Sequence, residues 1–315
     1  MSWKWDSSSA GCPGLYCGRI KLDNGSYSSC GPCPTGYRSE TSYPYFPSID
    51  DAVSLCLKCS ASFDVHEWLY LGFMALVLLV IELYIIDYSI RRRNLPGEVL
   101  VLHLSALVEI VLASVFTLAS FSTSFSSMKI NFCGAHRLSD WYTLFFNPSI
   151  NFKETIRCTQ EAVYPLYSMI YLFYLTALVF LVIIRPWIVR YVPDKKAPNT
   201  IYLTLYAIPA LAICHAMFSG LIYYSFPFIT LIGSIISVAC HFAFRLDQSM
   251  KALFLDSFAN IRSTLIILGH WVLHAYGIIS LTKFKNPSHI LLLLIVPLPS
   301  LFYILTSKFT DPRAH

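Results

Sequence analysis

The chain has 315 residues, of which 56% are hydrophobic and only 13% charged, against about 25% charged in an ordinary soluble domain. That composition excludes a soluble globular fold and describes a polytopic membrane protein. A net charge of +5 is too small to argue for a nucleic-acid partner.

Residues 1–67 are polar, rich in Ser, Gly, Pro and Cys, and show no helical period. They read as a small loop-rich module. No apolar core of a cleavable signal peptide follows Met1. The module holds Cys12, Cys17, Cys30, Cys33, Cys56 and Cys59, with Cys30/Cys33 and Cys56/Cys59 in Cys-x-x-Cys spacing. Such pairs suit either tetrahedral zinc thiolates or a disulfide framework. Asn24-Gly-Ser is a glycosylation sequon, which belongs on a lumenal or extracellular face.

The composition changes near Glu67. Spanning a bilayer takes about 20 mostly apolar residues, and seven segments of 68–306 qualify: 68–87, 99–121, 163–184, 200–222, 228–244, 264–281 and 290–306. Residues 307–315 form a short tail. Basic residues gather in the short connections after the first, third and fifth segments and in the tail, as at Arg91, Arg92 and Arg93. By the positive-inside rule the N-terminus then faces the lumen or exterior, and the C-terminus faces the cytosol. On that side of the membrane the six cysteines favour disulfides over zinc. Six cysteines allow 15 connectivities, and the pairing stays open. Cys133 and Cys158 share the same face, in the long connection 122–162, and offer a fourth bridge with one another. In that connection Asp140 reads as a solvated carboxylate, and the aromatics around it read as an interfacial belt.

Ionisable residues inside membrane spans are costly and therefore candidates for function. Glu82, Glu109, His103, His215, His241, His270 and His274 qualify. His270 and His274 are four residues apart and share a helix face. With Glu109 they give an alternative reading, an intramembrane metal-dependent lipid hydrolase. The competing reading has these histidines hydrogen-bonding within the bundle. No nucleophile elbow, phosphate loop or His-Glu-x-x-His occurs, and no intramembrane charge pair is legible. On the cytosolic side, Arg245, Lys251 and Arg262 flank apolar positions of 245–263 that recur at helical spacing. This is an amphipathic partner- or lipid-binding helix or an extension of neighbouring spans.

Several blocks carry a resemblance: Cys12-Pro-Gly-Leu-Tyr-Cys17-Gly, Cys30-Gly-Pro-Cys33-Pro, Glu67-Trp-Leu-Tyr-Leu-Gly-Phe-Met-Ala, Leu138-Ser-Asp-Trp-Tyr-Thr, Leu221-Ile-Tyr-Tyr-Ser-Phe-Pro and His270-Trp-Val-Leu-His-Ala-Tyr-Gly. In this order they make the chain resemble the c-Jun N-terminal kinase-associated membrane protein family along nearly its whole length. The resemblance implies an all-α polytopic protein of the endoplasmic reticulum membrane, with seven transmembrane helices and an N-terminal Cys-rich, loop-rich lumenal module. It implies a non-enzymatic adaptor, without a cofactor, in the degradation of misfolded proteins and the unfolded protein response. The implied partners are proteasome subunits, a membrane-bound ubiquitin ligase and c-Jun N-terminal kinase. No catalytic residue is carried over. Arg91, Arg92 and Arg93 form the candidate kinase-docking segment.

Overall fold

The computed structural model describes residues 11–42, 53–90, 97–121, 130–150, 154–160, 162–245, 247–259, 261–283 and 285–310. The protein is mostly helical. Among the described residues it has seven α-helices: α1 (Val65–Ile90), α2 (Gly97–Phe121), α3 (Leu166–Val189), α4 (Ala197–Ala243), α5 (Met250–Ala259), α6 (Ile261–Thr282) and α7 (Leu298–Thr310). Among the described residues, six helical stretches are long and apolar enough to cross a membrane: α1, α2, α3, α4, residues 263–282 of α6, and Pro287–Ser307, which joins a 3₁₀ segment to most of α7. Pro297 and Pro299 account for that joint. Each lacks an N–H, so the regular i to i−4 ladder cannot run through them.

The predicted segments 200–222 and 228–244 lie in one continuous helix of 47 residues, α4. The proposed break at Tyr223–Pro227 is helical. Tyr223 and Phe226 are buried, with ring centroids 5.1 and 5.6 Å from the Tyr70 ring. In an apolar surrounding a helix satisfies its own backbone groups, and one proline is tolerated.

The described residues fall into two compact units, one drawn from 1–67, 74–92 and 96–221, the other from 68–73, 93–95 and 222–315. In the first, the N-terminal residues and the connection before α3 form one module of paired short strands. Strand β1 (Cys17–Gly18) pairs with β2 (Gly31–Pro32), and β3 (Tyr37–Ser42) with β4 (Val53–Lys58), all antiparallel. Strand β5 (Ala61–Ser62) pairs across the sequence with β6 (Asn131–Phe132), and β7 (Ser149–Ile150) pairs with β8 (Glu154–Thr155). The boundary at residue 67 therefore cuts through this module, because the connection 122–162 contributes its second half.

Four disulfides hold it: Cys12–Cys30, Cys17–Cys158, Cys33–Cys56 and Cys59–Cys133. Cys133 and Cys158 are not bonded to each other, contrary to the sequence expectation. Each reaches back to the N-terminal segment. The two Cys-x-x-Cys pairs are likewise divided among different partners, so neither assembles a zinc site. Gly18 sits where the bridges crowd together. A Cβ there would lie 2.6 Å from Cys56 Sγ and 2.8 Å from Cys33 Sγ, too close for any side chain. With so little apolar core, a module of this size needs such staples.

Below the module, α2 and α3 pack through small residues. Ala106, Ala113 and Ala177 are buried, and Thr117 Oγ1 lies 3.4 Å from Thr176 Oγ1. Small side chains let helices approach closely where no hydrophobic effect drives them together. Ile86, Ile90, Val99, Leu102 and Val192 close the opposite ends of these helices. In the second unit, Val238, Phe242, Leu253, Ile267 and Ile304 form the core where α5, α6 and α7 meet the end of α4.

Candidate functional site

Two polar constellations stand out, both in the first unit. One is an ion cluster inside the helices. Arg185 of α3 is fully buried, and Glu82 of α1 and Glu109 of α2 are 1% exposed. Arg185 Nε donates to Glu109 Oε1 at 3.1 Å and Nη2 to Glu109 Oε2 at 2.7 Å. Nη2 also donates to Glu82 Oε2, and Nη1 reaches Thr204 Oγ1 of α4 at 3.5 Å. One planar guanidinium therefore clasps four helices. Its fork geometry suits this task, which a lysine ammonium would not perform. Sequence reading missed the cluster because Arg185 follows the apolar run ending at Ile184 and was counted as a span-end charge. In the structure α3 continues to Val189, which carries Arg185 inside.

The other constellation is centred on Asp140, which is 2% exposed rather than solvated. It sits in a 3₁₀ turn, Leu138–Trp141. Its Oδ2 accepts the N–H groups of His136 at 2.8 Å and Arg137 at 2.9 Å, closing the turn on itself. Its Oδ1 accepts from Arg38 Nη2 at 2.9 Å and from the Tyr16 hydroxyl at 3.0 Å. A single carboxylate thus ties β3 and the Tyr16 segment to the connection before α3. Burial, more than any neighbouring charge, pushes the Tyr16 hydroxyl up to about 12. The same turn rests on α4 at Gly220, where a Cβ would lie 2.7 Å from Leu138 Cδ1 and 3.0 Å from Trp141 Cβ.

The remaining sequence candidates are dispersed. Glu109 is committed to Arg185. His274 Nδ1 lies 3.0 Å from Ser234 Oγ, and the His270 ring is 6.4 Å from that of His241. Among the described residues no group of three or more His, Cys, Asp or Glu could hold a metal ion. The triad His270, His274 and Glu109 is therefore not assembled as a metal site. His103 meets the Val99 carbonyl at 2.8 Å and Asp87 at 3.4 Å. His215 is fully buried among the rings of Trp141, Tyr167 and Tyr171. Arg245 turns inward to Ser263 and His241, so it is not a free docking charge, whereas Lys251 is exposed. Arg91, Arg92 and Arg93 lie outside the described residues, as does the side chain of Arg262. Asn24 is exposed, and its Oδ1 accepts from the Ser26 hydroxyl at 2.7 Å and the Ser26 N–H at 3.0 Å.

A stapled module on a bundle of apolar helices, with its buried charges spent on holding that bundle, defines a polytopic membrane protein. A sequence profile of the family described as JNK1/MAPK8-associated membrane protein matches residues 12–312. The chain belongs to that family. It is 36% identical over 310 residues to the JNK1/MAPK8-associated membrane proteins of Mus musculus and Homo sapiens, covering 96% of this chain and 94% of each relative. The Caenorhabditis elegans homolog is 29% identical over 291 residues, covering 91% of this chain and 85% of that protein. No solved structure matches the chain.

Proposed function

We propose that the protein is a non-enzymatic adaptor of the endoplasmic reticulum membrane, with its N-terminus in the lumen. It recruits proteasome subunits and a membrane-bound ubiquitin ligase to dispose of misfolded proteins. It also associates with JNK1, as its mammalian relatives are named for doing.

The observation that carries this reading is the surface of α5. This helix of ten residues is too short to span a bilayer. Leu253 and Ser257 are buried against its neighbours, while Phe254, Leu255 and Phe258 are 50%, 65% and 66% exposed. Large apolar side chains on a short helix beside an exposed lysine mark a surface that meets a partner or a lipid headgroup layer. The four disulfides and the exposed sequon support a lumenal setting for the N-terminal module.

The test is purification of the tagged full chain from gently solubilised membranes, with quantitative mass spectrometry against a control multispan protein. Enrichment of proteasome subunits, a ubiquitin ligase and the kinase is expected. A partner list indistinguishable from the control would refute the adaptor reading.

A further inference from the structure

A narrow groove of about 160 Å³ runs between α5, α6 and α7 in the second unit. Phe254 and Phe258 of α5, Leu268 and Trp271 of α6, and Leu301 and Ile304 of α7 form its walls. The hydroxyl groups among them are already engaged. Ser257 Oγ donates to the Leu253 carbonyl and Thr264 Oγ1 to the Ser257 carbonyl, each at 2.7 Å, and Ser300 Oγ accepts from Trp271 Nε1 at 3.0 Å. The groove therefore presents carbon to whatever enters it, and a polar group placed there would give up its hydration for little return.

Two features select the occupant. The first is depth. The α6 and α7 walls belong to residues 263–282 and 287–307, two of the stretches long and apolar enough to cross a membrane. Thr264 and Ile304 both line the groove, so the start of one stretch and the end of the other lie at the same membrane face. At about 1.5 Å per residue, Leu268 then sits about 8 Å inside that face and Leu301 about 9 Å inside it. Both leucines are half-exposed, at 46% and 41%. Within a bilayer a leucine exposed at that depth meets hydrocarbon rather than water. The medium at the mouth of the groove is acyl chain.

The second feature is charge. α5 lies at the same face, because Phe254 and Phe258 close the end of the groove that Thr264 and Ile304 line. Lys251 of α5 is exposed. Phe254 and Phe258 follow it by three and seven residues, the spacing of a single helical stripe. That stripe carries an ammonium group first and two walls of the groove after it. A lipid with an acyl chain and a phosphate matches both parts. A diacylglycerol would bring the lysine no anion. A sterol carries a fused ring system of drug-like size, for which sites of roughly 300–1,000 Å³ are usual. We propose that this groove binds one phospholipid, with an acyl chain between α6 and α7 and the phosphate at Lys251. The site shares α5 with the adaptor reading but rests only on the membrane placement of α6 and α7, so the failure of one leaves the other standing.

The purified full chain in a neutral detergent would be titrated with dioleoyl phosphatidylserine and, in parallel, with dioleoylglycerol, and read by native mass spectrometry. One phosphatidylserine per chain should be retained saturably. Leu268→Trp and Leu301→Trp fill the groove from opposite walls, starting from side chains that are already half-exposed. Each should weaken retention about tenfold by steric exclusion. Lys251→Glu changes an exposed side chain, and keeps the test open if a tryptophan variant misfolds. It should weaken phosphatidylserine about fivefold, the order expected of one lysine at an anionic headgroup, and leave dioleoylglycerol unchanged. No saturable phosphatidylserine overturns the proposal, as does retention that both tryptophan variants leave unchanged. Dioleoylglycerol held as tightly as phosphatidylserine overturns it too. So does a dimer of the chain that the tryptophan variants dissolve, since the occupant would then be a second copy.

Discussion

Arg185 and Glu109 form a two-pronged ion pair deep among the helices, with Nε to Oε1 at 3.1 Å and Nη2 to Oε2 at 2.7 Å. Glu82 shares the same guanidinium. Removing one member of a buried ion cluster leaves the others desolvated and uncompensated, which typically costs about 3–5 kcal/mol. Arg185→Met should lower thermal stability in detergent by that much, read as loss of the monodisperse peak after heating. Adding Glu82→Leu and Glu109→Leu to Arg185→Met should return most of it, since a well-packed apolar replacement is often neutral. A triple variant as damaged as the single one would show that the cluster is not acting as a unit.

The disulfide pattern makes a prediction independent of any function. Unreduced proteolytic mapping should recover peptides joining Cys17 to Cys158 and Cys59 to Cys133, across separations of 141 and 74 residues. Each closes a long loop, so its removal should cost about 2–5 kcal/mol. The paired variant Cys17→Ser with Cys158→Ser should be more susceptible to protease in the connection before α3 than Cys12→Ser with Cys30→Ser. A peptide joining Cys133 to Cys158 would contradict the arrangement.

Alkaline pH should loosen the same module at Tyr16. Its hydroxyl titrates near 10 when exposed and at about 12 when folded. The folded state therefore holds this proton more tightly. The stability this contributes is full below pH 10 and is lost as pH rises from 10 through about 12. Tyr16→Phe should flatten that part of the pH profile while lowering stability at neutral pH by about 0.5–1.5 kcal/mol, the usual worth of one hydrogen bond. An unchanged alkaline slope in Tyr16→Phe would remove Tyr16 from this role.

Phe254→Ser combined with Phe258→Ser should leave the melting temperature unchanged within about 2 °C, because both side chains are at least half exposed. The same variant should lose proteasome and ligase recovery in the purification. Full recovery with this variant would move the docking surface away from α5.

The helices were largely legible because a lipid solvent demands long apolar runs: α1, α2 and α6 each contain the run that hydropathy marks out, and α3 contains its run apart from 163–165. What hydropathy could not show was partnership. Arg185 looks like a span-end charge in sequence, because only its meeting with Glu82 and Glu109, 103 and 76 residues away, makes its burial tolerable. Asp140 looked solvated because three of its donors, the Tyr16 hydroxyl and two backbone N–H groups, carry no charge signature, and the fourth, Arg38, lies 102 residues away. Proximity in sequence suggested a Cys133–Cys158 bridge, while the strand pair Ala61↔Phe132 instead delivers Cys133 to Cys59. The sequence analysis set 200–222 and 228–244 apart as two segments, and the packing of Tyr223 and Phe226 carries one helix through the gap between them. The metal reading of His270, His274 and Glu109 rested on helical spacing and on position within the spans, which are silent on the Arg185 that claims Glu109.

An adaptor of the endoplasmic reticulum membrane with this build requires the cysteine-rich module to face the lumen. Glycosylation reads this directly. Asn24 carries the only Asn-x-Ser/Thr sequon without proline in the chain. The chain expressed in microsomes should carry one glycan that endoglycosidase removes and Asn24→Gln abolishes. A parent chain without a glycan at Asn24 would contradict the account.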